Sequence, residues 1–139
     1  MSAQLITADV WGALTAAARR NKKPAYVAVA YFGKGAADLL HLPPRSRLVV
    51  DASEAAVKNG QTHPAALRRM QRRKVAVYSA QNLHAKVFAF DKAVFIGSAN
   101  VSKHSANVLQ EAIVRITDAA VVQAAQGFVK NLCLEGPKN

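Results

Sequence analysis

The run Ala25-Tyr26-Val27-Ala28-Val29-Ala30-Tyr31-Phe32, uncharged from end to end between Pro24 and Gly33, narrows the choice of fold most. A strand with one wet face alternates apolar and polar side chains. This run does not alternate, so it reads as a strand buried on both faces, in a sheet covered by helices. Shorter runs of the same kind follow at Arg47 to Ala52, around Leu48-Val49-Val50, and at Val75-Ala76-Val77-Tyr78. Helical stretches separate them. Thr7 to about Asn21 carries an apolar stripe of Val10, Leu14 and Ala17, with Thr7 as the expected cap and Trp11 expected in the core. Ala36 to Leu40 and Glu54 to Lys58 read as short helices, and a further helix opens at Pro64, which suits a first helical position. Asp118 is placed to cap a last helix from Ala119 to about Leu132. The expected fold class is α/β, a mixed β-sheet flanked by helices on both faces (an α/β/α sandwich). One domain is expected over residues 1–133, with a flexible tail at 134–139.

Charge and cysteine content narrow the function. A net charge of +11, from 19 Lys and Arg against 8 Asp and Glu, favours a polyanionic partner, either nucleic acid or an anionic membrane surface. The single cysteine, Cys133, excludes a disulfide framework or a cysteine-rich zinc site within one chain and suits a buried thiol. No apolar run reaches the ~20 residues of a membrane span. The first residues lack the charged and apolar regions of a secretory signal, which makes the cytoplasm the expected location.

The chemistry concentrates between Leu83 and Glu111. His84-Ala85-Lys86-Val87-Phe88-Ala89-Phe90 and Val94-Phe95-Ile96-Gly97-Ser98-Ala99-Asn100 read as two strands joined at Asp91-Lys92. Side chains two apart on a strand share a face, which pairs His84 with Lys86 and Ser98 with Asn100. If both pairs look into one cleft, an imidazole, an ammonium, a hydroxyl and a carboxamide surround one point. That set suits a phosphate: a nucleophile or base, a fixed positive charge and neutral donors. Asp91 lies ~16 Å along an extended strand from Lys86 and on the opposite face, so it reads as a structural turn residue. Gly97 reads as a point of close backbone approach. Asp51, at a strand's carboxyl end, suits either a site or a turn and capping role with Ser53.

The order His-x-Lys, four residues, Asp, then Gly-Ser-x-Asn resembles the HKD motif of the phospholipase D superfamily. It is most similar to the small bacterial endonucleases of that group, which carry one motif per chain and work as homodimers. One departure is visible: five residues separate Asp91 from Gly97 where the family pattern usually has six, as a hairpin joint shortened by one residue would explain. The resemblance implies that His84 attacks phosphorus and that a second His84, from a twofold-related chain, protonates the leaving oxygen. Lys86 and Asn100 would hold the nonbridging oxygens, Ser98 would add a donor, and Glu111 would orient His84. With one carboxylate in the set, no metal and no cofactor is expected.

The expected function is therefore a metal-independent phosphodiesterase, a nuclease acting on DNA or RNA as a homodimer. Phospholipid hydrolysis or transphosphatidylation, and a non-catalytic nucleic-acid-binding module, are the alternatives. No amphipathic membrane helix is evident, so no stable membrane association is expected. Arg68, Arg69, Arg72 and Arg73, crowding the end of the Pro64 helix, and Lys103 after the motif are candidate nucleic-acid contacts.

Overall fold

The computed structural model describes residues 3–102, 106–107 and 109–135. The strands are β1 (Ala3–Ile6), β2 (Tyr26–Val29), β3 (Arg47–Val50), β4 (Ala76–Ser79), β5 (Lys86–Ala89), β6 (Val94–Gly97) and β7 (Ile113–Ile116). The helices are α1 (Val10–Arg20), α2 (Ala36–Leu39), α3 (Glu54–Lys58), α4 (Pro64–Arg72) and α5 (Ala119–Glu135). The strands form one mixed sheet in the order β1-β7-β6-β5-β2-β3-β4. β2, β3 and β4 run parallel, whereas β5, β6, β7 and β1 are joined antiparallel, with β5 against β2.

The long apolar run becomes an interior strand of this sheet, between β5 and β3. Val27 and Val29 face a core with Leu48, Val50, Val77, Phe88 and Phe95, closed by α1, α2 and α4. Ala28 faces the other side, with Val49, Val87, Ala89 and Val94, against Val122, Val129 and Cys133 of α5. The sandwich is thus α/β/α, as the unbroken burial of β2 requires. Trp11 is buried and meets Phe88 edge-on, with ring centroids 5.8 Å apart at 89°. Cys133 is buried, and that burial pushes its thiol pKa up, with neighbouring Arg47 pulling partly back.

The N-terminal segment differs from expectation. β1 occupies residues 3 to 6 and pairs with β7, so α1 starts at Val10 rather than Thr7. Asp9 is the residue at the cap, in the left-handed region at φ 48°, and its side chain makes no capping bond. At the other end, Asp118 Oδ1 does accept the Val121 amide, 3.1 Å away, as its position before α5 suggests. α5 continues through Glu135.

Candidate active site

The carboxyl ends of β2, β3, β4 and β6 and the amino ends of β5 and β7 lie along one edge of the sheet, where α/β folds place their sites. The motif residues gather at this edge. Lys86 is level with Val29 of β2, and the ladder from Ala89↔Val94 to Val87↔Ile96 leads to Lys86 beside Gly97. At the opposite end of β5, the Phe90 amide donates to the Ala93 carbonyl at 2.9 Å, leaving Asp91 and Lys92 as a two-residue turn. The tight turn is the short joint suggested by the spacing. It keeps the amino end of β5 in register with the carboxyl end of β6.

Each side chain reaches this edge by a different local device. His84 is exposed, just before β5. The loop delivering it is tied down by Asp51, whose Oδ2 accepts from the Asn82 amide at 3.3 Å, with Asn82 itself at φ 67°. Asp51 is buried; its Oδ1 accepts from the Ser53 amide at 3.0 Å and its carbonyl from Thr62 Oγ1 at 2.7 Å. It is a turn organiser, and through Asn82 it also sets the approach to His84. Lys86 is half-buried, and its Nζ curls back to donate to the His84 carbonyl at 3.1 Å.

After Gly97 the chain bends and crosses the amino end of β5. Val101 then bridges to Phe32, in the extension of β2, and the Gly33 amide donates to the Val101 carbonyl at 2.7 Å. Along this crossing Ala99 is buried, and Ser98 and Asn100 on either side of it bond to different parts of the sheet. The strand ladder ends at Gly97, so beyond it these partners hold each side chain. Asn100 turns toward β2, where its Oδ1 accepts from the Tyr31 amide at 3.2 Å. With the oxygen committed, the amide's two N–H donors form its other end. Ser98 turns toward β7, and its Oγ accepts from the Ala112 amide at 3.1 Å and donates to the Ala112 carbonyl at 3.4 Å. That clasp fixes the backbone beside Glu111, which is half-buried. Gly97 serves the same junction. A Cβ there would collide with the Ala112 carbonyl oxygen and lie 2.7 Å from the Ile113 Cα.

The candidate nucleic-acid contacts separate. Arg69 Nη2 lies 2.8 Å from Asp38 Oδ1, and Arg73 Nη1 donates to the Ala37 carbonyl at 2.8 Å. Both guanidinium groups thus join α4 to α2, while Arg68 and Arg72 are exposed. The His63 amide donates to the Phe32 carbonyl at 2.8 Å, which anchors the start of α4 at the site edge and sends its Arg72 end away. Lys103 lies outside the described residues. Among the described residues no three His, Cys, Asp or Glu side chains converge as metal ligands. No helix there is long and apolar enough to cross a membrane.

One contributor escaped the sequence reading, and another was legible only in part. The Tyr31 amide orients Asn100, and Asp51 reaches across to Asn82. Tyr31 contributes only its backbone, which no residue type announces. Asp51 was legible as a turn residue partnered with Ser53, which its bond to the Ser53 amide bears out, but not as the anchor of Asn82.

An imidazole before β5, an ammonium on it and carboxamide donors beside it, at one end of a mixed sheet, define a phospholipase D-like protein. Residues 14–132 match the family described as "Cardiolipin synthase, PLD-like domain", and the chain belongs to that family. No curated protein matches the chain. Among solved structures it is similar to Nuc, a phospholipase D family member from Salmonella typhimurium, with TM-score 0.78 and 17% identity, covering 99% of this chain and 97% of that one. It is likewise similar to NucT from Helicobacter pylori, with TM-score 0.76 and 17% identity, covering 99% and 98%. The archaeal chromatin protein TrmBL2, whose structure is described as showing a novel mode of DNA binding, matches at TM-score 0.68 and 10% identity, covering 100% of this chain and 55% of that one. At such identities the likeness is one of fold, and the chemistry of this superfamily is that of phosphodiesters.

Proposed function

We propose that the protein is a metal-independent nuclease that cleaves nucleic-acid phosphodiesters through a phosphohistidine, with the active site completed by a second copy of the chain. The observation carrying this reading is the grouping of exposed His84, the Lys86 ammonium and the Asn100 carboxamide at one sheet edge. A ring nitrogen of His84 attacks phosphorus, and the bond to the leaving oxygen breaks as the P–N bond forms. His84 of the partner subunit gives that oxygen its proton and then takes one from the water that displaces the phosphohistidine. Lys86 Nζ and Asn100 Nδ2 stabilise the charge on the nonbridging oxygens. Glu111, held by the Ser98 clasp on Ala112, orients the imidazole.

Three things support nucleic acid as the substrate. The net charge is +11. The motif resembles that of the single-motif bacterial endonucleases. Nuc and NucT match this chain over nearly their whole length. The family description names cardiolipin synthase, which keeps phosphatidyl transfer as the second reading.

The deciding assay offers labelled oligonucleotides and phosphatidylglycerol vesicles to wild type and His84→Ala, in excess EDTA. Oligonucleotide cleavage by wild type alone is expected, reduced in His84→Ala by at least about 10³-fold. Turnover of lipid alone, or loss of all activity to the chelator, overturns the reading. Mixed dimers of wild-type and His84→Ala chains are expected to be inactive, since each site draws one imidazole from each chain.

A further inference from the structure

At the sheet edge opposite the motif lies a pocket of about 360 Å³. Its apolar lining is Ala17 of α1 with Phe90, Ala93 and Phe95 of the β5–β6 hairpin. The two Phe rings pack edge-on with centroids 5.8 Å apart. Around this floor stand Arg20, Lys22, Lys23, Lys92 and Arg115, with Asp91 the one acidic side chain in the lining. The walls are tied together: the Asp91 amide donates to Asn21 Oδ1 at 3.1 Å, and Asn21 Nδ2 donates to the Lys23 carbonyl at 2.6 Å.

A helix carboxyl end favours cations through its dipole, which accounts for Arg20 in the last turn of α1 and for Lys22 and Lys23 just past its Asn21 cap. It does not account for Lys92, from the β5–β6 turn, or Arg115, from β7. Cations from three separate elements thus converge on one cavity, at the mutual repulsion a bound anion would relieve.

We propose that this pocket is a second phosphate-binding site, taking a distal stretch of a single-stranded nucleic acid whose scissile bond lies at the motif edge. The assignment rests on the nuclease reading above and adds to it where the rest of the substrate goes. Phe90, Ala93 and Phe95 are core residues that show only their edges here, so the floor is narrow; with the cationic rim it suits a strand with unstacked bases, whose apolar edges lie beside each phosphate. A duplex would present its phosphates and keep its bases inside. The separation is compatible with one strand. Lys86 opens β5 and Asp91 stands in the turn beyond its end, five residues or about 16 Å on, so a dinucleotide at the motif would not reach the pocket and a longer strand would.

The test is binding, read by fluorescence anisotropy in an uncleaving His84→Asn background, with Lys22→Glu, Lys23→Glu and Lys92→Glu combined. These three lysines are exposed, so the fold is expected to tolerate the change, checked by an unaltered melting temperature. For a single strand of about 20 nucleotides, affinity is expected to fall roughly tenfold or more at low salt. The slope of log affinity against log salt should become shallower by about 2. In the otherwise wild-type background, cleavage of a dinucleotide should be unchanged. Unchanged affinity and slope for the long strand, with cleavage of it intact, overturn the pocket assignment and leave the nuclease reading standing. Equal weakening of a duplex of the same sequence overturns the assignment to a single strand. Loss of binding to anionic vesicles alone makes the pocket a lipid contact and overturns it. If the parent protein binds no nucleic acid at all, both readings fall.

Discussion

The proposed site gives Asn100 two jobs with one amide. Its oxygen is spent on the Tyr31 amide at 3.2 Å, which leaves its N–H groups as donors at the motif edge. Two substitutions separate these jobs. Asn100→Asp keeps an acceptor for Tyr31 but exchanges the donors for a carboxylate oxygen that repels phosphate. Its melting temperature should stay near wild type, while kcat falls by about 10²–10³-fold, the loss typical of a missing oxyanion donor. Asn100→Ala removes the acceptor too and leaves a part-buried N–H unmet, at about 1–3 kcal/mol in chemical denaturation. Equal activity in Asn100→Asp and wild type would remove Asn100 from phosphate binding. Ser98 carries the opposite lesson. Its residue type and spacing suggest a donor to substrate, yet its hydroxyl is engaged twice by Ala112. The type of a polar residue is legible in sequence. The partner that claims it comes from another part of the chain.

Among elements, the β6–β7 junction is the one on which the site's far wall depends. Gly97 lets β7 approach so closely that a methyl group there meets the Ala112 carbonyl and the Ile113 backbone, neither of which can swing away as a flexible side chain does. Gly97→Ala is therefore expected to destabilise the protein by about 1–3 kcal/mol, as overpacking does, and to move Glu111 with the displaced backbone. Denaturation should show the stability loss. Cleavage assayed well below the transition should show an activity loss larger than the unfolded fraction explains. Wild-type stability in Gly97→Ala would mean that the junction yields freely. β2 was legible because an uncharged run of that length has only one comfortable place, the interior of a covered sheet. β1 was not. Its residues 3 to 5 are exposed, so no burial pattern marks them, and they become a strand only by pairing with β7. The same limit hid the partners of Ser98 and Asn100, which come from other parts of the chain.

At the scale of the molecule, the described residues include a field of positive charge at the edge away from the motif. Arg19, Arg20, Lys22 and Lys23 end α1, while Arg45 and Lys74 meet where the Arg45 amide donates to the Lys74 carbonyl at 2.9 Å. His41 belongs to this field. Its Nε2 lies 3.2 Å from Arg19 Nη2, and its pKa is lowered from 6.5 by burial first, then by Arg19 and Arg73, with Asp38 opposing. A lowered histidine pKa means that the unfolded chain takes up the proton first as pH falls. Stability therefore drops as pH goes from 6.5 down toward the folded value, and His41 has no effect on the slope well above 6.5. In His41→Gln the amide oxygen can still accept from Arg19 but cannot titrate. The melting temperature of wild type should consequently fall more between about pH 7.5 and pH 5.5 than that of His41→Gln. The difference between the two proteins should shrink in high salt, because part of the shift is repulsion from Arg19 and Arg73 across partly exposed space. Identical pH slopes would show that His41 titrates in the folded protein as it does in the unfolded chain, and that the cationic end of the molecule exerts no net pull on its protonation.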